Sequence, residues 1–112
     1  MATTSEYHSH IYFDENTREI AEELCHRIQE KFDVQIGRFW DKNVGPHPRW
    51  SVQIKYEPNK FGRVMPYLMK NRRGLTVFTH PVTGDDFKDH TEHAIWMGEL
   101  LDLNLDALKT NG

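Results

Sequence analysis

Six of the chain's seven histidines fall in three short stretches, and their spacing is the first chemical fact about it. His8 and His10 form a His-x-His pair in Tyr7 to Phe13. His47 sits between two prolines in Gly45-Pro46-His47-Pro48. His80, His90 and His93 lie between Thr76 and Gly98. A neutral imidazole offers a lone pair to zinc, iron, copper or nickel, and near its own pKa it takes up or releases a proton at neutral pH. The single cysteine, Cys25, excludes an internal disulfide and a Cys-based zinc cluster. It falls in a helical pattern, where a thiol serves as a small packing residue.

These residues need elements to position them. Tyr7 to Phe13 alternates as a strand, and Asp14 to Phe32 follows as a helix, with Asp14 or Asn16 as N-cap and Glu19 completing a capping box on Asn16. Ile20, Leu24, Ile28 and Phe32 recur every four residues and give that helix one apolar stripe. His26 points away from the stripe and is a surface residue. Asp33 to Trp40 and Arg49 to Tyr56 are two further strands, joined by the turn-rich Asp41 to Pro48. Asn59 to Arg73 is a second helix ending at Gly74, with Pro66 predicting a kink or a helix that starts close to it. Leu75 to His80 is a fourth strand, and Gly98 to Lys109 is a weakly determined final element.

Strand, helix, strand, strand, helix, strand is the order of an α+β ferredoxin-like βαββαβ sandwich, one domain over residues 1–112 with a four-stranded antiparallel sheet. Alternation then sorts the side chains. Tyr7, Ser9, Ile11 and Phe13, with Trp50, Val52, Ile54 and Tyr56 and with Leu75, Val77 and Thr79, face the helices. His8, His10 and Tyr12 take the other side, with Ser51, Gln53 and Lys55 and with Thr76, Phe78 and His80. The first and fourth strands are neighbours in such a sheet, so His8, His10 and His80 converge on one polar face.

The loops add to this face. Two prolines around His47 fix its backbone and lower the entropy cost of presenting the ring. Pro81 is expected to stop the ladder after His80, and Thr83-Gly84-Asp85 forms a turn that can bring His90 back over the sheet. His93 is read as structural.

Composition narrows the partners. The net charge is −3 with 28% charged residues, and no basic stripe suits nucleic acid. Lys70 to Arg73, the one dense basic run, fits a helix end. No apolar run approaches the length of a membrane span, and the first residues lack the pattern of a signal peptide, so a cytoplasmic protein is expected.

The combination of His-x-His, Gly-Pro-His-Pro, His-Pro-x-Thr-Gly-Asp and Asp-His before Trp-x-Gly resembles the DOPA 4,5-dioxygenase family, from about Tyr7 to Leu105. The resemblance implies a ferredoxin-like fold, commonly dimeric, and extradiol opening of a catechol ring with Fe(II) and O2. Such chemistry needs a metal with open positions and groups that move protons. Carried over by position, it implies His10, His47 and His80 as metal ligands, with His8 a fourth ligand or a partner behind them, and His90 as acid/base, a role His8 can share. Tyr12, Gln53 and Phe78 are candidates to line a substrate, and Arg49 to pair with a substrate carboxylate or to make a dimer contact. Zinc or nickel can occupy such a site in place of iron.

Many iron oxygenases use two histidines and a carboxylate, and no acidic residue is evident on the histidine face. Asp85, Asp86, Asp89 and Glu99 are near in sequence, the first two as turn residues, so either the site uses histidines only or a carboxylate arrives from a loop or a second subunit. A homodimer is expected because a lone sheet face would leave Tyr12, Phe78 and Trp96 wet. Trp96 and Met97 are read as packing residues at that interface or under the C-terminal segment. Two alternatives stay open: a cofactor-free monooxygenase on the same scaffold, and a non-catalytic module that binds a small aromatic or a metal.

Overall fold

The computed structural model describes residues 3–108. β1 (Glu6–Phe13) leads into α1 (Arg18–Phe32), followed by β2 (Gln35–Ile36), β3 (Trp50–Tyr56), α2 (Phe61–Asn71), β4 (Val77–Val82), the single turn α3 (Asp86–Asp89) and β5 (Ile95–Met97). All strands pair antiparallel in the order β2-β3-β1-β4-β5. The first four follow ferredoxin-like topology. The sheet has five strands where the sequence reading expected four, because Ile95–Met97 pairs with Val77–Thr79.

Alternation sorts the two faces as expected. Ile11, Phe13, Val52, Ile54, Tyr56 and Val77 join Ala21, Leu24, Cys25, Ile28, Val64, Met65 and Leu68 in one core cluster between sheet and helices. Ile20 and Phe32, the ends of the predicted stripe, are only partly buried against it. Ser9 and Thr79 also point into this layer. Their hydroxyls are 2.8 Å apart, and Ser9 lies 2.9 Å from the Tyr56 hydroxyl, so the buried polar groups satisfy one another.

Several local expectations change. The α1 helix starts at Arg18 after Thr17 and has no side-chain cap. Asp14 instead accepts from the backbone N–H groups of Asn16 and Thr17 and from the Thr17 hydroxyl, closing a turn that replaces the expected capping box. The predicted strand 33–40 shrinks to two residues and an isolated bridge at Trp40, since Asp33 is left-handed and residues 38–39 leave the ladder. Pro66 lies inside α2, which a 3₁₀ turn over Pro58–Lys60 precedes. Pro81 does not stop β4: it opposes Tyr7 on β1, beyond the residues that β5 pairs, where a missing N–H removes no bond to β5. The final predicted element reduces to a 3₁₀ turn over Leu105–Leu108; Lys109 lies outside the described residues.

The second face is not left open to solvent. Residues 44–47 fold against it, and the Asn104 N–H donates to the Pro46 carbonyl at 2.8 Å, tying this loop to the C-terminal segment. Tyr12 and Phe78 are 2% and 0% exposed within one chain. Tyr12 and Phe78 therefore need no second subunit to cover them, because the chain's own segments already do so.

Candidate metal centre

The register of the central strands builds the site. His8 stands directly opposite His80 across the β1–β4 ladder, and His10 opposite Phe78. On the other side of β1, His10 opposes Gln53. Because successive side chains alternate, His8, His10, His80 and Gln53 share one face, as the sequence implied.

The donor nitrogens of His8, His10 and His80 all lie within 4.8 Å of one another. The Nε2 atoms of His10 and His80 are 3.2 Å apart. Two nitrogens about 2.1 Å from one ion, at about 90–110° to each other, are separated by about 3.0–3.4 Å. The observed pair thus already has the spacing of two ligands on a single metal, and the donor set fits a divalent ion.

Hydrogen bonds select which nitrogen is free. The His80 Nδ1–H donates to the Pro81 carbonyl at 2.8 Å, leaving Nε2 as the acceptor. The His90 Nδ1–H donates to the Asp86 carbonyl at 2.7 Å and likewise leaves Nε2 free. On His8 the order reverses, since Nε2 lies 2.5 Å from the Glu6 carboxylate.

Burial favours neutral, lone-pair-bearing imidazoles. Loss of water, the largest influence on all three, lowers His10 well below 6.5 and takes His47 and His80 down to about 4. Mutual repulsion with the neighbouring imidazoles adds to the fall. On His80 the bond to the Pro81 carbonyl opposes it.

The Gly-Pro-His-Pro turn does present its imidazole: the His47 ring is 4.1 Å from that of His10, with Nδ1 2.6 Å from the Tyr12 hydroxyl. His47 is not among the three gathered donors. The turn after β4 brings His90 back over the sheet, its ring 4.0 Å from that of His80. Asp89 fixes this return. Its buried carboxylate accepts from the Thr83 N–H, the Thr83 hydroxyl and His93 Nδ1, so His93 has the structural part expected of it. Burial pushes Asp89 upward, but these three donors outweigh it and its pKa is lowered.

A cavity of about 270 Å³ opens on the cluster, lined by His8, His10, His47, Gln53, His80, Asp86 and His90, with Val44, Gly45, Pro46 and Val82. Phe78 supports it from below, between His10 and His80 on one side and Trp96 on the other. Trp96 stacks on Tyr12 as well, so it is a wall of this face. Met97 packs against the helix-side core.

Arg49 is elsewhere. Its guanidinium makes a two-pronged ion pair with Glu99, at 3.1 and 3.0 Å. It lines a separate cavity of about 530 Å³ with Tyr12, Asp14, Thr76 and Glu99. Tyr12 lines this space, and its hydroxyl meets His47, which lines the other.

Sequence reasoning missed one acidic residue, Glu6, and read a second, Asp86, as a turn residue. Glu6 precedes the expected strand by one position, yet β1 begins with it and alternation puts it on the face of His8. Asp86 lines the histidine cavity although it also belongs to a turn. The histidine face therefore does carry carboxylates, against the expectation from sequence.

The model of the Dopa 4,5-dioxygenase family matches residues 7–107. A protein of Botryotinia fuckeliana described as "Uncharacterized 21.2 kDa protein" is 38% identical over 89% of this chain and 61% of its own length. The "DOPA 4,5-dioxygenase" of Amanita muscaria is 31% identical over 92% of this chain and 49% of its own. The chain thus spans between about half and three-fifths of these relatives' length. The crystal structure of a "putative dioxygenase" from Nostoc punctiforme superposes with a TM-score of 0.94 at 39% identity, covering 97% of this chain and 95% of the other. By sequence over nearly its whole described length and by fold, the chain belongs to the Dopa 4,5-dioxygenase family.

Proposed function

We propose that this protein is a non-haem Fe(II) extradiol dioxygenase that opens the ring of a catechol, such as DOPA, with O2. The observation that carries the reading is the meeting of three histidine donors within 4.8 Å at the floor of a cavity, on a family scaffold. Iron, when bound, supplies open positions at which catechol oxygens and dioxygen can meet.

The chain's own residues divide the remaining work. His10 and His80 hold the ion through Nε2, with His8 as the third ligand. His47, placed among the ligands by resemblance, is not among the three gathered donors and stands at the wall of the cavity, with its Nδ1 2.6 Å from the Tyr12 hydroxyl. His90, with Nδ1–H fixed on Asp86, presents Nε2 to the cavity as the acid/base. Gln53 can orient a substrate hydroxyl, and Phe78 supports the histidine rings from beneath. Arg49 reaches a substrate carboxylate only if Glu99 yields it. A homodimer remains part of the proposal, with Ile95, the first residue of β5, and Leu100, just after that strand, as the exposed apolar surface a second copy would cover.

The test is anaerobic loading with Fe(II), followed by oxygen and DOPA, recording oxygen uptake and the yellow ring-opened product. Iron-dependent product that disappears in His10→Ala is the expected result. A verified iron load without oxygen uptake on DOPA or simpler catechols would leave a binding module in place of an enzyme. Sedimentation at micromolar concentration tests the dimer, and a monomer alone refutes it.

A further inference from the structure

The three gathered histidines are not equivalent, and the difference lies behind His8. Glu6 is the first residue of β1 and shares its face with His8 two positions on. Its Oε2 lies 2.5 Å from His8 Nε2. Its Oε1 lies 3.7 Å from the ammonium of Lys55, the residue directly opposite His8 on β3. The Glu6 and His8 side chains are 26% and 19% exposed, so this chain of contacts sits partly inside the protein rather than on a mobile rim.

An imidazole has two nitrogens. When Nε2–H donates to a carboxylate, Nδ1 keeps the lone pair, and the ring is held in that orientation and made a better donor. His80 shows the opposite arrangement, with Nδ1 engaged and Nε2 free. Glu6 itself is not among the groups gathered within 4.8 Å. Its place is therefore behind a ligand, not on the ion.

We propose that Glu6 is a positioning residue for the metal site: it holds His8 so that this residue ligates through Nδ1 while His10 and His80 ligate through Nε2, and Lys55 steadies the carboxylate from the other side. The proposal rests on the reading of this face as a metal centre and adds the atom by which each histidine acts. The carboxylate absent from the expected ligand set then acts one bond further out, where it sets the orientation and donor strength of His8.

The test uses zinc, which is diamagnetic, and the full chain labelled with ¹⁵N-histidine. Long-range ¹H–¹⁵N spectra report the tautomer of each ring with and without zinc, and a competing chelator reports affinity for the wild type, Glu6→Ala, Glu6→Gln, His8→Ala and the double variant Glu6→Ala/His8→Ala. The expected result is a His8 ring that keeps its Nε2 proton and binds zinc through Nδ1. Zinc affinity should fall about 10–100-fold in Glu6→Ala, less in Glu6→Gln, whose amide oxygen still accepts the hydrogen bond. Glu6→Ala should cause no further fall once His8 is gone. A general loss of structure would lower affinity in both backgrounds, so an equal fall in both overturns the proposal. Zinc on His8 Nε2, or wild-type affinity in Glu6→Ala, overturns it too and leaves the metal centre standing. Absence of zinc binding by the wild type overturns the metal centre itself, and this proposal with it.

Discussion

His10 and His80 are separated by 70 residues of sequence, and their Nε2 atoms face one another at 3.2 Å. Two central strands, β1 and β4, bring this about through one antiparallel register. Without an ion between them the contact is a modest hydrogen bond; with one it becomes a pair of ligands.

Removing either partner should therefore abolish tight metal binding while preserving the fold. His10→Ala and His80→Ala are each expected to weaken affinity for zinc or Fe(II) by more than the about 10–100-fold that loss of an outer partner costs. Calorimetric titration checks this. Wild-type affinity in His80→Ala would show that the ion, if any, sits elsewhere.

Acid should destabilise the metal-free protein over a defined window. His47 and His80 fall from 6.5 to about 4 on folding, so between these values the unfolded chain binds protons that the native state refuses. Stability is then fully retained above pH 6.5 and declines as the pH drops towards 4, by roughly 3 kcal/mol for one such imidazole. Urea midpoints of the wild type and His47→Gln at several pH values test this. The variant should show the shallower decline, and parallel curves would refute the account.

Asp89 acts on the site from a distance. Its carboxylate is 1% exposed and ties Thr83, at the end of β4, to α3 and His93. Asp89→Ala leaves those donors without their acceptor and should cost about 2–3 kcal/mol. The same change releases His90 from above His80, so catechol turnover should fall further than zinc affinity does. An equal loss of both would indicate collapse of the whole face.

Arg49 offers a sharper test of substrate choice. Its ion pair with Glu99 is exposed, and Arg49→Ala should leave the unfolding midpoint essentially unchanged. If a substrate carboxylate displaces Glu99, the variant raises KM for DOPA and not for catechol itself. Identical KM values for both substrates in variant and wild type would assign Arg49 to the rim alone.

The faces of the sheet were legible in the sequence because alternation follows from strand geometry and needs no tertiary information. Ser9 and Thr79 inward and His8, His10 and His80 together follow from it, while the return of His90 was legible in the turn chemistry of Thr83-Gly84-Asp85. What covers the histidine face was not legible, because the Pro46–Asn104 bond joins loop segments with no periodicity. β5 was hidden for a related reason: three residues are too few to display an alternation, and only pairing with β4 makes them a strand. Glu6 escaped notice because strand ends fray in sequence patterns, and a one-residue extension of β1 is what places it behind His8. The failed capping box at Asn16 shows the same limit, since Asp14 takes the Asn16 N–H that Glu19 would have accepted.

The strand pairing that joins His10 to His80 also closes one of the longer loops the chain can form. Loop closure grows costlier only slowly with length, but long-range pairings of this kind form late and are lost only when the central sheet opens. An ion held across β1 and β4 would thus be a clasp on the slowest-opening part of the molecule. Its binding would stabilise the native state, and native-state hydrogen exchange at the backbone amides of these two strands would slow in proportion to ion concentration.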